Sequence, residues 1–337
     1  TSSIGGNITT TGTQTYSGAV TITGTAATRT LTNTSSAITF SSTVDSTASA
    51  ANSLTFGAGT GTVTFTGAVG GASNGALGTI TNASGQTLIF SDAVSATTIA
   101  NYGTLLFNAA SAKTISPAIT DNGTTTVQVI NASNSVAPGV ITFSGNVAAD
   151  TITIGNTTYA GSALFNGTVS GTNINIVGGD HASEASLGKF ANTVSVTAIT
   201  LDTNTGTATA EFSGTGVTVT GTINGLATTE GIVTASGTTT FASTIGATNR
   251  PAQLTVSGAT TFQAAVKTAA LTTTAAISNG TTLDVSGTSS IGANITTTGT
   301  QTYTGAVTIT PMAPPWMSLV LLALEATSLP LVPKPIV

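Results

Sequence analysis

Phe90-Ser91-Asp92-Ala93-Val94 is the stretch from which the fold can be read. In an extended strand, positions i, i+2 and i+4 share a face, so the ring and the β-branched side chain point the same way with small or polar residues between them. The pattern returns as Tyr16 to Val20, Phe40 to Val44, Phe65 to Val69, Phe143 to Val147, Phe165 to Val169, Phe190 to Val194, Phe241 to Ile245, Phe262 to Val266 and Tyr303 to Val307. Looser copies start at Phe107 and Phe212. An inward strand face requires this spacing, so the repeated pair is read as core and not as a binding motif.

The aromatic positions recur about every 21–25 residues, a period that signals a solenoid, a propeller or an array. Shorter and longer steps fall near Phe107, Phe143, Phe241 and Tyr303. Between these rungs lie second strands, as in 53–56, 151–154, 173–177, 198–201 and 253–256, and turns rich in Gly, Asn and Ser. Two or three short strands and their corners make one coil of a parallel β-helix, whose loops absorb a drift that a propeller blade would not. The expected fold class is all-β: a parallel β-helix (β-solenoid) of stacked coils of about 21–25 residues, with Phe stacking near Phe and Val over Val.

Only 5% of the 337 residues are charged, against roughly 25% in ordinary soluble domains. Thr, Ser, Asn and Gly take that place, and with Val and Ile they favour strands and tight turns over helices. The 39% apolar residues fall in short alternations that can bury enough surface to fold. With no cysteine, a disulfide framework and a thiolate metal site are excluded. A net charge of -5 and six scattered Lys and Arg give no basic stripe, so nucleic acid is not an expected partner.

Residues 1–23 and 288–310 match except at Gly6/Ala293 and Ser17/Thr304, which implies recent duplication within a longer tandem array. No linker interrupts residues 1–310, which are read as one β-solenoid repeat domain. Residues 311–337 break the pattern with most of the prolines, Trp316, both Met residues and the run Leu319 to Leu324. That run is too short to span a bilayer, so no transmembrane segment is expected in it. Back-translated with permitted codons and read from the third base of the first codon, the tail can give residues 279–304 again, with Gly at 293 and Ser at 304. It is therefore read as a non-native repeat copy out of frame.

The only histidine, His181, shares the loop Gly178 to Glu184 with Asp180, Ser183 and Glu184. Such a loop could hold a metal or an acid and base pair, but adjacent loop residues rarely converge, and a solvated insertion between coils is the preferred reading. Asp92, Asp121, Asp150 and Asp180 are almost evenly spaced but have unlike neighbours, so the spacing is treated as coincidence. The triplets Thr21-Ile-Thr23, Thr30-Leu-Thr32, Thr62-Val-Thr64, Thr151-Ile-Thr153 and Thr218-Val-Thr220 could form an ice-binding hydroxyl array. They do not recur at one fixed place in every coil, so strand propensity is preferred. Gly57 to Gly61 lacks a following Gly-Lys-Ser/Thr and is read as a turn. No catalytic, cofactor-binding or metal-ligating residue is assigned, and no cofactor is expected.

These Gly-, Thr-, Ser- and Asn-rich repeats, with their F-x-x-x-V rung and tandem duplication over residues 1–310, resemble the β-strand-repeat surface proteins of bacteria. Those include autotransporter passenger domains and filamentous-haemagglutinin-like adhesins. The resemblance implies a secreted, right-handed β-helix at the cell surface, without catalysis, serving adhesion or fibre structure, with glycans or other surface proteins as partners. Open coil ends and few charges add an expectation of self-association, end to end or laterally. The alternatives are a polysaccharide-active β-helix enzyme and an ice-binding Thr-rich solenoid.

Overall fold

A computed structural model describes residues 1–310 apart from positions 35, 48–49, 60, 72–74, 109 and 132–138. The tail read as an out-of-frame copy, 311–337, lies outside the described residues. Among the described residues all regular structure is β, and the strands pair in parallel from one coil to the next. The chain is a three-faced parallel β-solenoid.

One turn shows the plan. Val20–Ile22 lies on face one, Thr28–Asn33 on face two and Ile38–Phe40 on face three, and Val44–Ser46 then returns to face one. Val20 pairs with Val44, Leu31 with Phe56 and Phe40 with Phe65. Strands this short carry one or two inward side chains each; in Val20-Thr21-Ile22 the Val and Ile are buried and the Thr faces out. No coil can bury its inward side alone, so stacking supplies the core.

The rung Phe90 to Val94 is corrected in one respect. It is not a single strand. Phe90 ends the strand Thr87–Phe90 on face three, whereas Val94 bridges Val69 and Ile115 on face one. Ser91, Asp92 and Ala93 form the corner, where the Ala93 amide donates to Asp92 Oδ1 at 2.7 Å. Both side chains still point to the common axis and both are buried. Period two places i and i+4 on the same side whether or not the chain bends between them, which is why the pair reads as one strand.

The aromatic seam changes face as it climbs. Tyr16, Phe40, Phe65, Phe90 and Phe107 are in register on face three. Phe143, Phe165, Phe190 and Phe212 continue on face one, and Phe241 and Phe262 on face two. Within each run the rings stack 4.9 to 5.4 Å apart and within 21° of parallel. The two handovers, Phe107 to Phe143 and Phe212 to Phe241, are edge-on at 5.1 Å, with interplanar angles of 88° and 89°. Both edge-on and offset-stacked pairs suit the ring quadrupole.

Aliphatic residues occupy the face the seam has left or not yet reached. Val44, Val69, Val94 and Ile115 precede Phe143 on face one. Val129, Ile154, Ile176 and Leu201 follow Phe107 on face three. Smaller side chains thus fill most of the space beside the seam to interior density, and one layer holds a second ring, Phe56 on face two, edge-on to Phe65 at 5.7 Å.

Coil length varies along the axis. Many central coils, such as the one that runs from Val44 to Val69, fall within the expected range, while the coil from Phe90 to Phe107 is shorter and that from Ile115 to Phe143 longer. The end coils are short too, running from Ile4 to Ile22 and from Ile291 to Ile309. Longer coils place their extra residues in corners. Gly155 turns one of them at φ +79°, and a Cβ there would lie 2.1 Å from the Val177 carbonyl oxygen. Buried Asn82 and Asn101 brace another: Asn82 Nδ2 donates to Asn101 Oδ1 at 2.9 Å and to the Thr104 carbonyl at 3.1 Å.

Candidate functional site

The loop Gly178 to Glu184 forms the corner between the strands Val169–Val177 and Ser186–Phe190. Its polar residues separate. Asp180 and His181 face solvent, with His181 Nε2 3.5 Å from Asp180 Oδ1. Glu184 turns inward and is 3% exposed, and its buried Oε2 has no hydrogen-bond partner. The Glu184 amide donates to the His181 carbonyl at 2.9 Å, and the Gly179 amide to the Glu184 carbonyl at 3.2 Å, so the loop folds on itself.

The other carboxylates are tied into the scaffold. Asp92 pairs with Lys113 at 2.7 Å, Glu211 with Lys189 at 2.9 Å and Asp284 with Arg250 at 2.6 Å. Ser236 donates to the same Glu211 oxygen at 2.7 Å. The hydrogen bond from Arg250 holds Asp284 below the usual carboxylate range despite partial burial, and the same bond raises Arg250. Asp121 and Asp150 do meet, across Thr125: the hydroxyl donates to Asp121 Oδ1 at 3.0 Å and the amide to Asp150 Oδ2 at 3.2 Å. Asp92 and Asp180 are in other corners, so the even spacing assembles two carboxylates of four. Among the described residues no three His, Asp or Glu side chains are grouped to hold a metal ion.

The most regular outward chemistry is a set of hydroxyl ladders. On face two Thr218, Thr240, Thr261, Ser278 and Thr296 stand in register. On face one the series is Thr234, Thr255, Thr272, Ser290 and Thr308. Face three carries Thr62, Thr87, Thr104, Thr126 and Thr151 nearer the N-terminal end. Spacing between strands of a sheet is about 4.8 Å, which sets the repeat of each ladder.

On face two the ladder borders a shallow open trough of about 430 Å³. Its lining includes Ala259 and Ala276 together with Thr238, Thr261, Ser278, Asn294 and Thr296. It offers methyl groups and neutral hydrogen-bonding groups, and no charge. Such a lining can hold a neutral polyhydroxylated chain by contact and hydrogen bonding; it supplies neither an acid and base pair nor an anion grip.

The Thr-x-Thr triplets are spread over all three faces, at Thr21 to Thr23 on face one, Thr30 to Thr32 on face two and Thr62 to Thr64 on face three. The ladders take Thr62, Thr151 and Thr218 from such triplets and continue through residues such as Thr261 and Ser278 that belong to none. The signal was present at fixed offsets from the rings, one residue before Phe241 and Phe262 and three before Phe65, Phe90 and Phe107, but the change of face at Phe107 and Phe212 conceals it. Compared with known proteins, the chain matches no protein-family model, no curated protein and no solved structure. Among the described residues no helix is long and apolar enough to cross a membrane.

Proposed function

We propose that the chain is a non-catalytic, extracellular scaffold of a cell surface, of the kind its repeats resemble, and that it contacts glycans through face two. The observation that carries this reading is the in-register hydroxyl ladder from Thr218 to Thr296, flanked by the uncharged trough over Ala259 and Ala276. Neutral hydroxyls and methyls repeated along a rigid sheet suit an extended sugar chain bound weakly at many points, with avidity in place of a deep pocket. The pairing of Asp92, Glu211 and Asp284 with basic neighbours is consistent with carboxylates used for the scaffold.

Binding of the full chain to a panel of neutral and acidic glycans tests the reading, alongside Thr261→Leu/Ser278→Leu. Retention of neutral glycans by the parent, with at least about a tenfold loss in the variant, supports it. Equal binding by both would remove face two from the proposal. The ladder also favours ice binding as a second reading, although it is one Thr wide where Ala242, Gln263 and Gly280 stand two residues beyond it. Thermal hysteresis without glycan binding would make that the better account.

A further inference from the structure

We propose that the corner between faces three and one at residues 155–161, 178–185 and 203–207 is a calcium site, in which Glu184, Asn204 and the carbonyls of Thr157, Gly178 and Gly179 supply the protein oxygens. The site stands on this corner alone and is independent of the glycan reading of face two.

The first support is a buried carboxylate without a counter-charge. Glu184 is 3% exposed, its Oε2 has no hydrogen-bond partner, and its side chain folds over Gly179, where a Cβ would run into that oxygen. Taking a carboxylate out of water is costly unless a cation or hydrogen-bond donors replace the water. No basic side chain fills that part. The three corner segments contain no Lys or Arg, and the basic residues nearest in sequence, Lys189 and Arg250, pair with Glu211 and Asp284. Asp180 and Asp202 beside these segments, and Glu230 in the next corner, deepen the negative field.

The second support is a cluster of carbonyl oxygens. Asn204 Nδ2 donates to the carbonyls of Thr157, Gly178 and Gly179 at 3.1, 3.4 and 3.2 Å, so that polar atoms from three successive coils converge. Three carbonyls offer more lone pairs than two N–H groups can use. Asn204 is fixed in place at φ +45°, with its amide donating to Asp202 Oδ1 at 3.0 Å. Gly179 joins the two groups, its carbonyl in the cluster and its Cα beneath the Glu184 side chain.

The same spacing suits a large, hard cation. Calcium takes roughly six to eight oxygens at about 2.3–2.6 Å, which sets neighbouring ligands about 3 to 3.6 Å apart. A carboxamide shows nitrogen to bare carbonyls and oxygen to a bound cation, and a half-turn about its last bond exchanges the two. With Asn204 so turned and Glu184 swung toward the Gly179 carbonyl, the chain provides a carboxylate, a carboxamide and three carbonyls, and water completes the shell. Magnesium demands a compact octahedron at about 2.0–2.1 Å and gives up its water reluctantly, so neutral carbonyls held by separate coils favour calcium. A single ligating carboxylate places the affinity in the weak range of extracellular modules, about 10⁻⁴–10⁻³ M. Bound there, the ion would tie three successive coils at one corner.

Melting and calorimetry of the full chain, stripped with a chelator and titrated with calcium chloride or magnesium chloride, test the proposal. Calcium should bind and raise the melting temperature with a midpoint at about 10⁻⁴–10⁻³ M, and magnesium should require at least about tenfold more. Hydrogen exchange should slow in 155–161, 178–185 and 203–207 and stay unchanged in Thr62–Phe65. Glu184→Gln keeps the shape without the charge and should weaken calcium binding at least about tenfold, while Asp121→Asn, in the other carboxylate pair, should leave it unchanged. Asn204→Asp separates a cation site from an amide that only ties the loops together. In chelator its carboxylate faces three carbonyls and should lower the melting temperature, and calcium should restore the parental value. No effect of calcium on the parent up to about 10 mM, an equal effect of magnesium, a Glu184→Gln that binds as the parent does, or an Asn204→Asp that calcium does not rescue would each overturn the proposal. Calcium binding by a chain that retains no glycan would count against the face-two reading alone.

Discussion

The first and last described coils, in 1–23 and 288–310, carry the same sequence but for Gly6/Ala293 and Ser17/Thr304, and they differ chiefly in the described coils that lie on them. The first is covered by the coil from Arg29 to Ser46; the second has no described coil beyond it. The strands, faces and inward residues agree, and burial does not. Ile22 is inaccessible and Ile309 more than half exposed. A coil of this protein therefore has its shape written in its own residues and its core supplied by its neighbour, the behaviour of a one-dimensional array with nearest-neighbour terms.

The sharpest way to break the comparison is to delete the same side chain at both ends. Ile22→Ala should cost about 3 kcal/mol, the usual range for a fully buried aliphatic, whereas Ile309→Ala should stay within about 0.5 kcal/mol. Native-state hydrogen exchange reads the two locally: amides of the coils around Ile22 should exchange about a hundredfold faster, and those around Ile309 nearly unchanged. Equal effects would mean that coil sequence, and not coil neighbours, fixes local stability.

Much of this architecture is legible in the residues. The phenylalanine period gives a stacked parallel core, and all eleven Phe side chains are indeed buried. The place of Val94 is not legible, because alternation reports the side of the chain and not the face of the coil. The long steps to Phe143 and Phe241 carry meaning that spacing alone does not disclose: there the seam moves to the next face, whereas the short step to Phe107 stays in register with Phe90. The short end coils are hidden for a related reason, since between Phe262 and Tyr303 the inward positions are Val266, Leu271, Ile277, Leu283 and Val285, with no ring to count. The face-two hydroxyls partly escape a triplet search because Thr261 and Ser278 belong to no Thr-x-Thr triplet, although Thr218 and Thr240 do.

Making the two copies identical in sequence sharpens the comparison from the other side. Gly6 is exposed, and a Cβ built on it meets nothing within 4 Å. Gly6→Ala should therefore stabilise the first coil by about 0.5 kcal/mol through reduced freedom of the unfolded chain, and Ser17→Thr should be neutral. Together they should leave the contrast between Val20 and Val307 in hydrogen exchange intact. A contrast that vanished would trace it to the two substitutions.

The smallest expected effect concerns charge next to the last described coil. Asp284 to Arg250 is the last described ion pair before residues 289–309, and it joins the strand Leu283–Val285 to the corner ahead of Gln253–Val256. Arg250 lowers the Asp284 pKa in the folded chain, so the stabilisation is full above the ordinary carboxylate value of 3.8 and is lost as pH falls through the lower folded value. Both side chains are partly solvated, which limits the pair to about 0.5 kcal/mol. Asp284→Asn should accordingly speed exchange in the last coils about twofold at neutral pH and have no effect in strong acid, while the coils around Ile22 respond at neither. An Asp284→Asn effect that persisted unchanged in acid would mean that the side chain acts there through packing or its neutral hydrogen bond, and not through its charge.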